Sequence, residues 1–300
     1  MTCPTILIMA AGMGSRYGGL KQLDEIGPSK ETILEFSLFD AIAAGFKKAV
    51  FVIRKDFEEE FRSRFGTRWE HKINIEYVHQ ELNPYCPWLT HQAKREKPWG
   101  TGHAVLCAES IIQEPFAVIN ADDFYGRLAF QKMSDFLQSK CDDATYGMVS
   151  FQLGKTLSPN GPVSRGVCTL DSSDRLKSIH EISGIQDLNG RVENQTFPEW
   201  VLNLNSPVSM NFWGFHPKFF TSLKEGFIEF TAANQGNPRA EFYIPTLVFQ
   251  LINEGKANVQ CYSSPETWHG ITYREDRQSV DSAMRRLVEM GIYPSPLWAN

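Results

Sequence analysis

No two of the six cysteines in this sequence stand at CxxC spacing: Cys3, Cys86, Cys107, Cys141, Cys168 and Cys261 are scattered along 300 residues. Zinc knots and disulfide frameworks need paired or closely spaced cysteines. The spread argues against both and points to reduced thiols in a cytosolic compartment. A basic excess is also missing. The formal net charge is -5, and the densest cationic stretch, Lys94, Arg95 and Lys97, is interrupted by Glu96 and reads as a solvated loop. A sequence-independent nucleic-acid binder would carry a basic face, so nucleic acid is not an expected partner. No run of about eighteen apolar residues occurs, so no membrane span is expected. The N-terminus lacks the basic and apolar regions of a secretion signal, which again favours a cytoplasmic location. Internal repeats and low-complexity linkers are absent. What remains is a globular composition, 42% hydrophobic and 22% charged, with 21 Phe, 9 Tyr and 7 Trp, richer in aromatics than a disordered chain.

The order of apolar runs and amphipathic stretches reads as α/β. Residues 6–10 form a short apolar run without polar alternation, as expected of a parallel strand covered on both faces. A glycine-rich turn follows. Residues 33–45 then carry Ile33, Leu34, Leu38, Ala41 and Ile42 at helical spacing, and 49–53 is another buried strand candidate. Strand, turn, helix, strand is the βαβ unit. The alternation continues with helices at 56–65, 101–112 and 127–138 and strands at 73–78, 116–119 and 146–153. Beyond Gly154 the rhythm changes to short strands at 166–170 and 176–181, then a strand at 209–214, helices at 217–230 and 244–254, a strand at 259–262 and a final helix at 276–290. The expectation is one domain over 1–300 in two halves, an open α/β sheet at 1–155 and a second half at 156–300 that carries a small accessory β-containing lobe.

The strongest chemical signal is the segment Gly12–Lys21. Glycines after a strand let backbone N–H groups approach phosphate oxygens, and Arg16 and Lys21 bring two cations to the same loop. The spacing Gly12, Gly14, Gly18 is not a dinucleotide fingerprint, and the G-K-S/T of a P-loop is absent. A second signal is Asn120-Ala-Asp122-Asp123 at the end of the apolar run 116–119. Carboxylates at the carboxyl end of a parallel strand sit at the usual ligand edge, and oxygen ligands suit Mg2+. An Asx turn or a cap for the next helix is the competing reading. A third is Gln80 with the turn Pro98-Trp99-Gly100-Thr101-Gly102, whose glycines suit backbone passing beside a flat ring and whose Thr101 can cap the following helix. A tight strand-to-helix turn also needs glycine without any ligand. In the second half Asn211 stands out as a polar residue in an apolar strand.

The stretch from Leu7 to Ile53 resembles the opening of the nucleotidyltransferase family that includes the sugar-1-phosphate nucleotidylyltransferases, the NDP-sugar pyrophosphorylases. It is also similar to cytidylyltransferases acting on isoprenoid and polyol phosphates. Ala10-Ala11-Gly12-Met13-Gly14-Ser15-Arg16 matches A-A-G-x-G-x-R residue by residue, and Leu20-Lys21-Gln22 matches P-K-Q with Leu for Pro. The resemblance implies the nucleotide-diphospho-sugar transferase fold, a Rossmann-like, mostly parallel mixed sheet flanked by helices. It implies that Arg16 and Lys21 hold a triphosphate, and that Asp122 of "AVINADDFYG" is the Mg2+ aspartate with Asp123 behind it. It also implies that Ala10, Ala11, Gly12, Gly14, Gln80, Gly100, Thr101 and Gly102 line the nucleotide site. The resemblance makes 1–155 the nucleotide-binding half and 156–300 the acceptor-binding half. In many relatives the glutamine and the glycine turn are only a few residues apart, whereas Glu81–Trp99 intervene here as a lid, a specificity element or a dimer contact. A homo-oligomer is compatible with that segment.

On the acceptor side Gly166 matches the family glycine, Glu181 the glutamate that holds sugar hydroxyls, and Asn211 the asparagine near the acceptor. The lysine expected after that glutamate is Ile182, so the phosphate contact is missing or supplied elsewhere. Arg165, Lys177, His180, Arg239 and Arg274 are available cations, each read as a surface charge. The W-x-D segment has no matching Asp. Asp276 is a possible second metal ligand, with helix capping the stronger reading, and His269 is a weaker candidate. The implied reaction is Mg2+-dependent transfer from an NTP to a small phosphorylated acceptor, a sugar phosphate, with release of pyrophosphate. Cytidylyl transfer to an alcohol phosphate and a non-catalytic nucleotide-sugar-binding protein are the alternatives.

Overall fold

The computed structural model describes residues 3–12, 24–69, 71–81, 95 and 97–298. The elements in chain order are β1 (Thr5–Met9), α1 (Ile33–Ala43), β2 (Lys48–Ile53), α2 (Glu58–Trp69), β3 (Asn74–His79), α3 (Thr101–Leu106), β4 (Phe116–Asn120), β5 (Asp123–Phe124) and α4 (Arg127–Ser139). They continue with β6 (Thr145–Gln152), β7 (Val163–Leu170), β8 (Leu176–Leu188), β9 (Arg191–Glu193), β10 (Pro207–Phe215), α5 (Phe219–Ala233), α6 (Ile244–Asn253), β11 (Asn258–Ser263), β12 (His269–Gly270) and α7 (Asp276–Glu289).

The apolar runs form the parallel part of the sheet. β3, β2, β1 and β4 lie side by side, all parallel, with Ile6 level with Ala49 and with Ala117. Period two sends Ile6 and Ile8 to the face covered by α1, α2 and α4, and Leu7 to the face covered by α3, α5 and α6. Both faces of β1, β2 and β4 are buried, which is why these three strands show no polar alternation. The order then continues β10, β7, β8, β9 with antiparallel pairings, while β6 flanks β10 and carries β11 parallel to it. The result is a mixed sheet with helices on both faces. β10 is the hinge of this topology. Its Trp213–Phe215 pair with β4, and its Val208 and Ser209 pair with β7. Between them lies a bulge in the register with β6, and Asn211 there has φ 61. Asparagine tolerates the left-handed region better than most residues, and bulges bend a strand from one neighbour to the next.

Several boundaries differ from the periodicity. The helix expected over 101–112 stops at Leu106, because Ala108, Glu109 and Ile111 bond three residues back rather than four. The strand expected over 176–181 runs on to Leu188, and β9 closes a hairpin on it. Among the described residues no helix is long and apolar enough to cross a membrane, and Cys3, Cys107, Cys141, Cys168 and Cys261 are free thiols.

The segment after α7 packs onto α1 through a third apolar cluster, where Tyr293 meets Phe36 edge-on at 5.1 Å between ring centroids. Beneath it the Tyr293 hydroxyl donates to Asp40 Oδ2 at 2.6 Å, while Arg127 Nε stands 3.6 Å from Oδ1, beyond hydrogen-bond length. Burial pushes the Asp40 carboxyl up to about 7, against the lowering effect of Tyr293 and Arg127. A raised folded pKa means the folded state keeps a proton that the unfolded chain has lost. Stability therefore falls as pH rises from about 4 to about 7. Asp40→Asn is expected to remove this slope, so urea unfolding at pH 5 and pH 8 should show the variant gaining on the wild type at the higher pH. Parallel pH profiles would contradict it.

Candidate active site

β1 and β4 end level with each other, Met9 opposite Asn120, and the chain leaves both at one edge of the sheet. The Ala121 N–H donates back to Met9 O at 3.1 Å and the Ala10 N–H to Val52 O at 2.8 Å, which fixes both exits. A cavity of about 910 Å³ opens above this edge. That is within the usual range for small-molecule sites, about 300–1,000 Å³. Ala11 and Gly12 border it from β1, and Asn120, Asp122 and Asp123 from β4. Ala10 is buried just below. Gly14, Arg16 and Lys21 lie outside the described residues.

The two aspartates have different surroundings. Asp122 is half-buried on the cavity wall. Asp123 is buried, and it is neither a turn residue nor a helix cap. It belongs to β5, pairs across to Gly270, and α4 begins instead at Gly126 without a side-chain cap. Its Oδ2 accepts from Asn120 Nδ2 at 2.8 Å, with the Tyr125 hydroxyl at 3.2 Å, and its carbonyl accepts from Ser37 Oγ at 3.0 Å. Burial first, and the charge of Asp122 second, raise the Asp123 carboxyl well above the carboxylate range. Asn120, Arg165 and Tyr125 oppose them.

Across the cavity stand Gln80, Gly100 and Thr101. Gln80 Nε2 donates to Gly100 O at 3.1 Å and lies 3.4 Å from His103 Nδ1. His103 is fully buried and stacks on Phe227 at 4.7 Å. Burial, with some help from Arg95, lowers its pKa to about 4, so its ring is neutral and able to accept. No reading of the sequence singled out His103; its signal was the i, i+3 relation to Gly100 in a turn already noticed. Two expectations for this turn are corrected. Thr101 does not cap α3: the first position outside the helix is Gly100, and Thr101 Oγ1 accepts from the Ile244 N–H at 3.2 Å. The flat ring beside Gly102 is not a ligand but Phe242. A Cβ at 102 would lie 2.6 Å from its Cδ1, and Gly102 does not border the cavity. Gly100, at φ 93, faces the Phe242 backbone equally closely.

The third wall comes from the second half. Gly166, Glu181 and Asn211 all border the cavity. Gly166 lies opposite Glu181 in the β7–β8 ladder, and Trp213 Nε1 stands 3.5 Å from Asn211 Oδ1. Burial raises the Glu181 pKa, partly offset by Arg165. Lys97, Arg239 and Glu241 form the rim, with Lys97 Nζ 3.2 Å from Glu241 Oε1. Arg165, read from sequence as a surface charge, is 7% exposed and borders the cavity. The missed signal was period two: Val163, Arg165 and Val167 share one face, and both valines pack against the core.

Asp276 is not a cavity group. Its Oδ2 accepts from the N–H groups of Thr272 and Tyr273 at 3.0 and 2.7 Å, and its Oδ1 from Ser158 Oγ and Asn160 Nδ2 at 2.7 and 2.8 Å. Burial would raise its pKa, but these bonds together hold it below the usual value. Four donors saturate the carboxylate as a clamp on the turn before α7, so it has no oxygen to offer a metal. His269 lies off the cavity beside Phe124, and burial pushes its pKa down to about 4. Position 270 requires glycine, since a Cβ would lie 2.3 Å from the Trp268 ring and 2.8 Å from Asp123 Oδ1.

The chain is similar to known proteins in fold and in family profile. No curated protein sequence matches the chain. Its fold is similar to that of a Bacillus anthracis protein assigned as a glucose-1-phosphate thymidylyltransferase, solved with sucrose. That match has a TM-score of 0.64 and 15% identity, over 95% of this chain and 96% of that one. A UDP-glucose pyrophosphorylase in complex with UDP-glucose has a TM-score of 0.60 and 16% identity, over 95% and 99% of the two chains. The inositol-1-phosphate CTP transferase of T. maritima has a TM-score of 0.60 and 12% identity, over 96% and 97%. At these identities the likeness is one of fold. The sequence itself matches the family profile for nucleotidyl transferases over residues 5–181, which spans β1 to the middle of β8 and includes the strand edge where Gly12 and Asp122 meet. The chain is a nucleotidyltransferase and belongs to the nucleotidyl transferase family.

Proposed function

We propose that this enzyme transfers a nucleotidyl group from an NTP to a sugar phosphate, with Mg2+ and with release of pyrophosphate. One observation carries the reading: Gln80, Gly100, Asp122, Glu181 and Asn211, the residues that the family resemblance assigns to base, phosphate and acceptor, all border a single cavity. Two proteins of similar fold, the glucose-1-phosphate thymidylyltransferase and the UDP-glucose pyrophosphorylase, are named for sugar-phosphate or sugar-nucleotide chemistry, in keeping with it.

In this reading an oxygen of the acceptor phosphate attacks the α-phosphorus in line. A new P–O bond forms as the bond to the β,γ-pyrophosphate breaks. That oxygen is already ionised at neutral pH, so no general base is needed, and catalysis rests on positioning and on stabilising charge. Gln80, with its amide nitrogen held by Gly100 O, directs its carbonyl oxygen to a donor on the base. Glu181 accepts from acceptor hydroxyls. Arg16 and Lys21, which follow Gly12 in the chain, hold the triphosphate. The donor set suits Mg2+. No group of three His, Cys, Asp or Glu forms a protein-only cage among the described residues, and Mg2+ characteristically takes one or two carboxylates and leaves its other positions to phosphates and water. Asp122 would hold it with Asp123 behind, and bound there it supplies Lewis-acid stabilisation of the phosphoryl oxygens.

Pyrophosphate release across four NTPs and a panel of phosphorylated acceptors, with Mg2+ or with EDTA, tests the reading. Release is expected to require an NTP, a sugar phosphate and the metal together. Silence across the whole panel would refute it. Ile182 is wholly buried in the core, so it offers no cation where relatives are expected to carry lysine. That favours a second reading, cytidylyl transfer to an alcohol phosphate. It would be established by activity with CTP and such an acceptor and not with sugar phosphates.

A further inference from the structure

The cavity wall contains a buried guanidinium that the roles above leave unused. Arg165 sits on β7, directly across the ladder from Ile182 and next to Gly166. Its Nε donates to Thr156 Oγ1 at 3.2 Å, Nη1 to Ser164 O at 2.8 Å, and Nη2 to Thr156 O. The group packs over the Trp268 ring at 4.9 Å. These contacts fix its plane, yet they use three of the five N–H donors a guanidinium carries, so two remain. Asp123, Glu181 and Asp276 are its charged neighbours, but none makes an ion pair with it among the described residues. The Asp276 oxygens are taken by four other donors. Burying a cation with no carboxylate in direct contact is costly, and an anion bound beside it would offset that cost. Arg165 also lies between the two ends of the acceptor path. One neighbour, Glu181, faces the hydroxyl end. The other, Asp123, adjoins Asp122, where the phosphorus must sit.

We propose that Arg165 binds the phosphate group of the acceptor, using its free N–H donors as a fork while Glu181 takes the hydroxyls. This rests on the cavity being the nucleotidyl-transfer site. It accounts for how an acceptor phosphate is held although the facing strand position is the apolar Ile182. A planar fork with fixed orientation would present one phosphate oxygen toward the nucleotide and hold the others. The rival role is purely structural: Arg165 as shared counter-ion of Asp123 and Glu181.

Calorimetric titration of the full chain with glucose 1-phosphate, inorganic phosphate and neutral glucose, for wild type, Arg165→Gln and Arg165→Lys, separates the two. Arg165→Gln is expected to weaken both phosphate probes by about tenfold or more and to leave any glucose binding unchanged. Arg165→Lys, which keeps the charge but not the fork, should fall between. Equal Kd values for the phosphates in wild type and Arg165→Gln, or no phosphate binding by the wild type, would overturn the proposal, even if the variant is less stable. Should Arg165→Gln not fold, Arg165→Lys decides alone: an unchanged phosphate Kd rejects the fork. Pyrophosphate release is scored separately. Arg165-dependent phosphate binding without release from any NTP leaves this anion subsite standing and removes the nucleotidyl-transfer reading.

Discussion

Asp122→Ala is expected to lower turnover by at least about 10²-fold, and Lys21→Ala by a similar factor, with little loss of fold. In-line transfer at phosphorus gathers negative charge on the phosphoryl oxygens, so the groups that meet this charge act mainly in the transition state and their loss should fall on kcat rather than on KM. Asp122 is half-buried on the cavity wall at the carboxyl end of β4, and β4 itself is wholly in the core at Phe116–Ile119. Removing the Asp122 carboxylate leaves the buried side chains of Phe116–Ile119 in place, so the kinetic effect should far exceed any shift of the urea midpoint. Asp123 provides the contrast. Its Oδ2 holds Asn120 and Tyr125, so Asp123→Ala should cost stability as well as rate. Steady-state kinetics with excess Mg2+, beside equilibrium unfolding, check both. Near-normal rates in Asp122→Ala and Lys21→Ala would end the assignment of this edge as the reacting centre.

Gly102→Val is expected to destabilise the protein by about 1–3 kcal/mol through overpacking and to raise KM for the nucleotide. The turn from Trp99 to Gly102 is bound to the Phe242 segment from both sides: Phe242 N–H donates to Trp99 O at 2.6 Å and Gly102 N–H to Phe242 O at 2.9 Å. The Phe242 ring packs on Phe227 and Phe230 at 5.7 and 5.5 Å, and cannot retreat easily. A side chain at 102 must push the turn away from that ring, and Gly100 and the Gln80 contact move with it. Gly102→Ala decides between two effects of similar size. Helix propensity alone favours alanine over glycine by about 1 kcal/mol, whereas a Cβ at 2.6 Å from carbon favours glycine. Urea unfolding of the alanine variant should show a loss. A gain would mean that the Phe242 ring yields, and the KM argument would fall with it.

Much of this was readable along the chain. β1, α1 and β2 follow from an apolar run, a 3.6-residue period and a second apolar run, because both faces of a parallel strand are buried. α1 even begins with a capping box that ties Thr32 to Glu35. Asp122 was legible for the same reason: a carboxylate directly after an apolar strand must emerge at the sheet edge. Elsewhere local pattern misled. Thr101 looked like a cap, yet its hydroxyl serves Ile244, 143 residues on. Gly102 suggested room for a ligand, and the occupant is Phe242. Asp276, read as a helix cap or a second metal ligand, is closed by four donors on the turn before α7, and Arg165, read as a surface charge, is buried in the cavity wall.

The sequence by itself determined the kinds of group present and the short-range elements that carry them, since strand and helix periods and glycine turns depend on neighbours a few residues apart. It also carried enough of the family pattern to name the chemistry. Only the tertiary structure decided which distant residues share one space. β10 inserts between β4 and β7, and that non-local pairing brings Glu181, Asn211 and Arg165 to the edge where Gly12 and Asp122 emerge. Such pairings are fixed by how whole faces pack once the chain has closed long loops, and no local period records them.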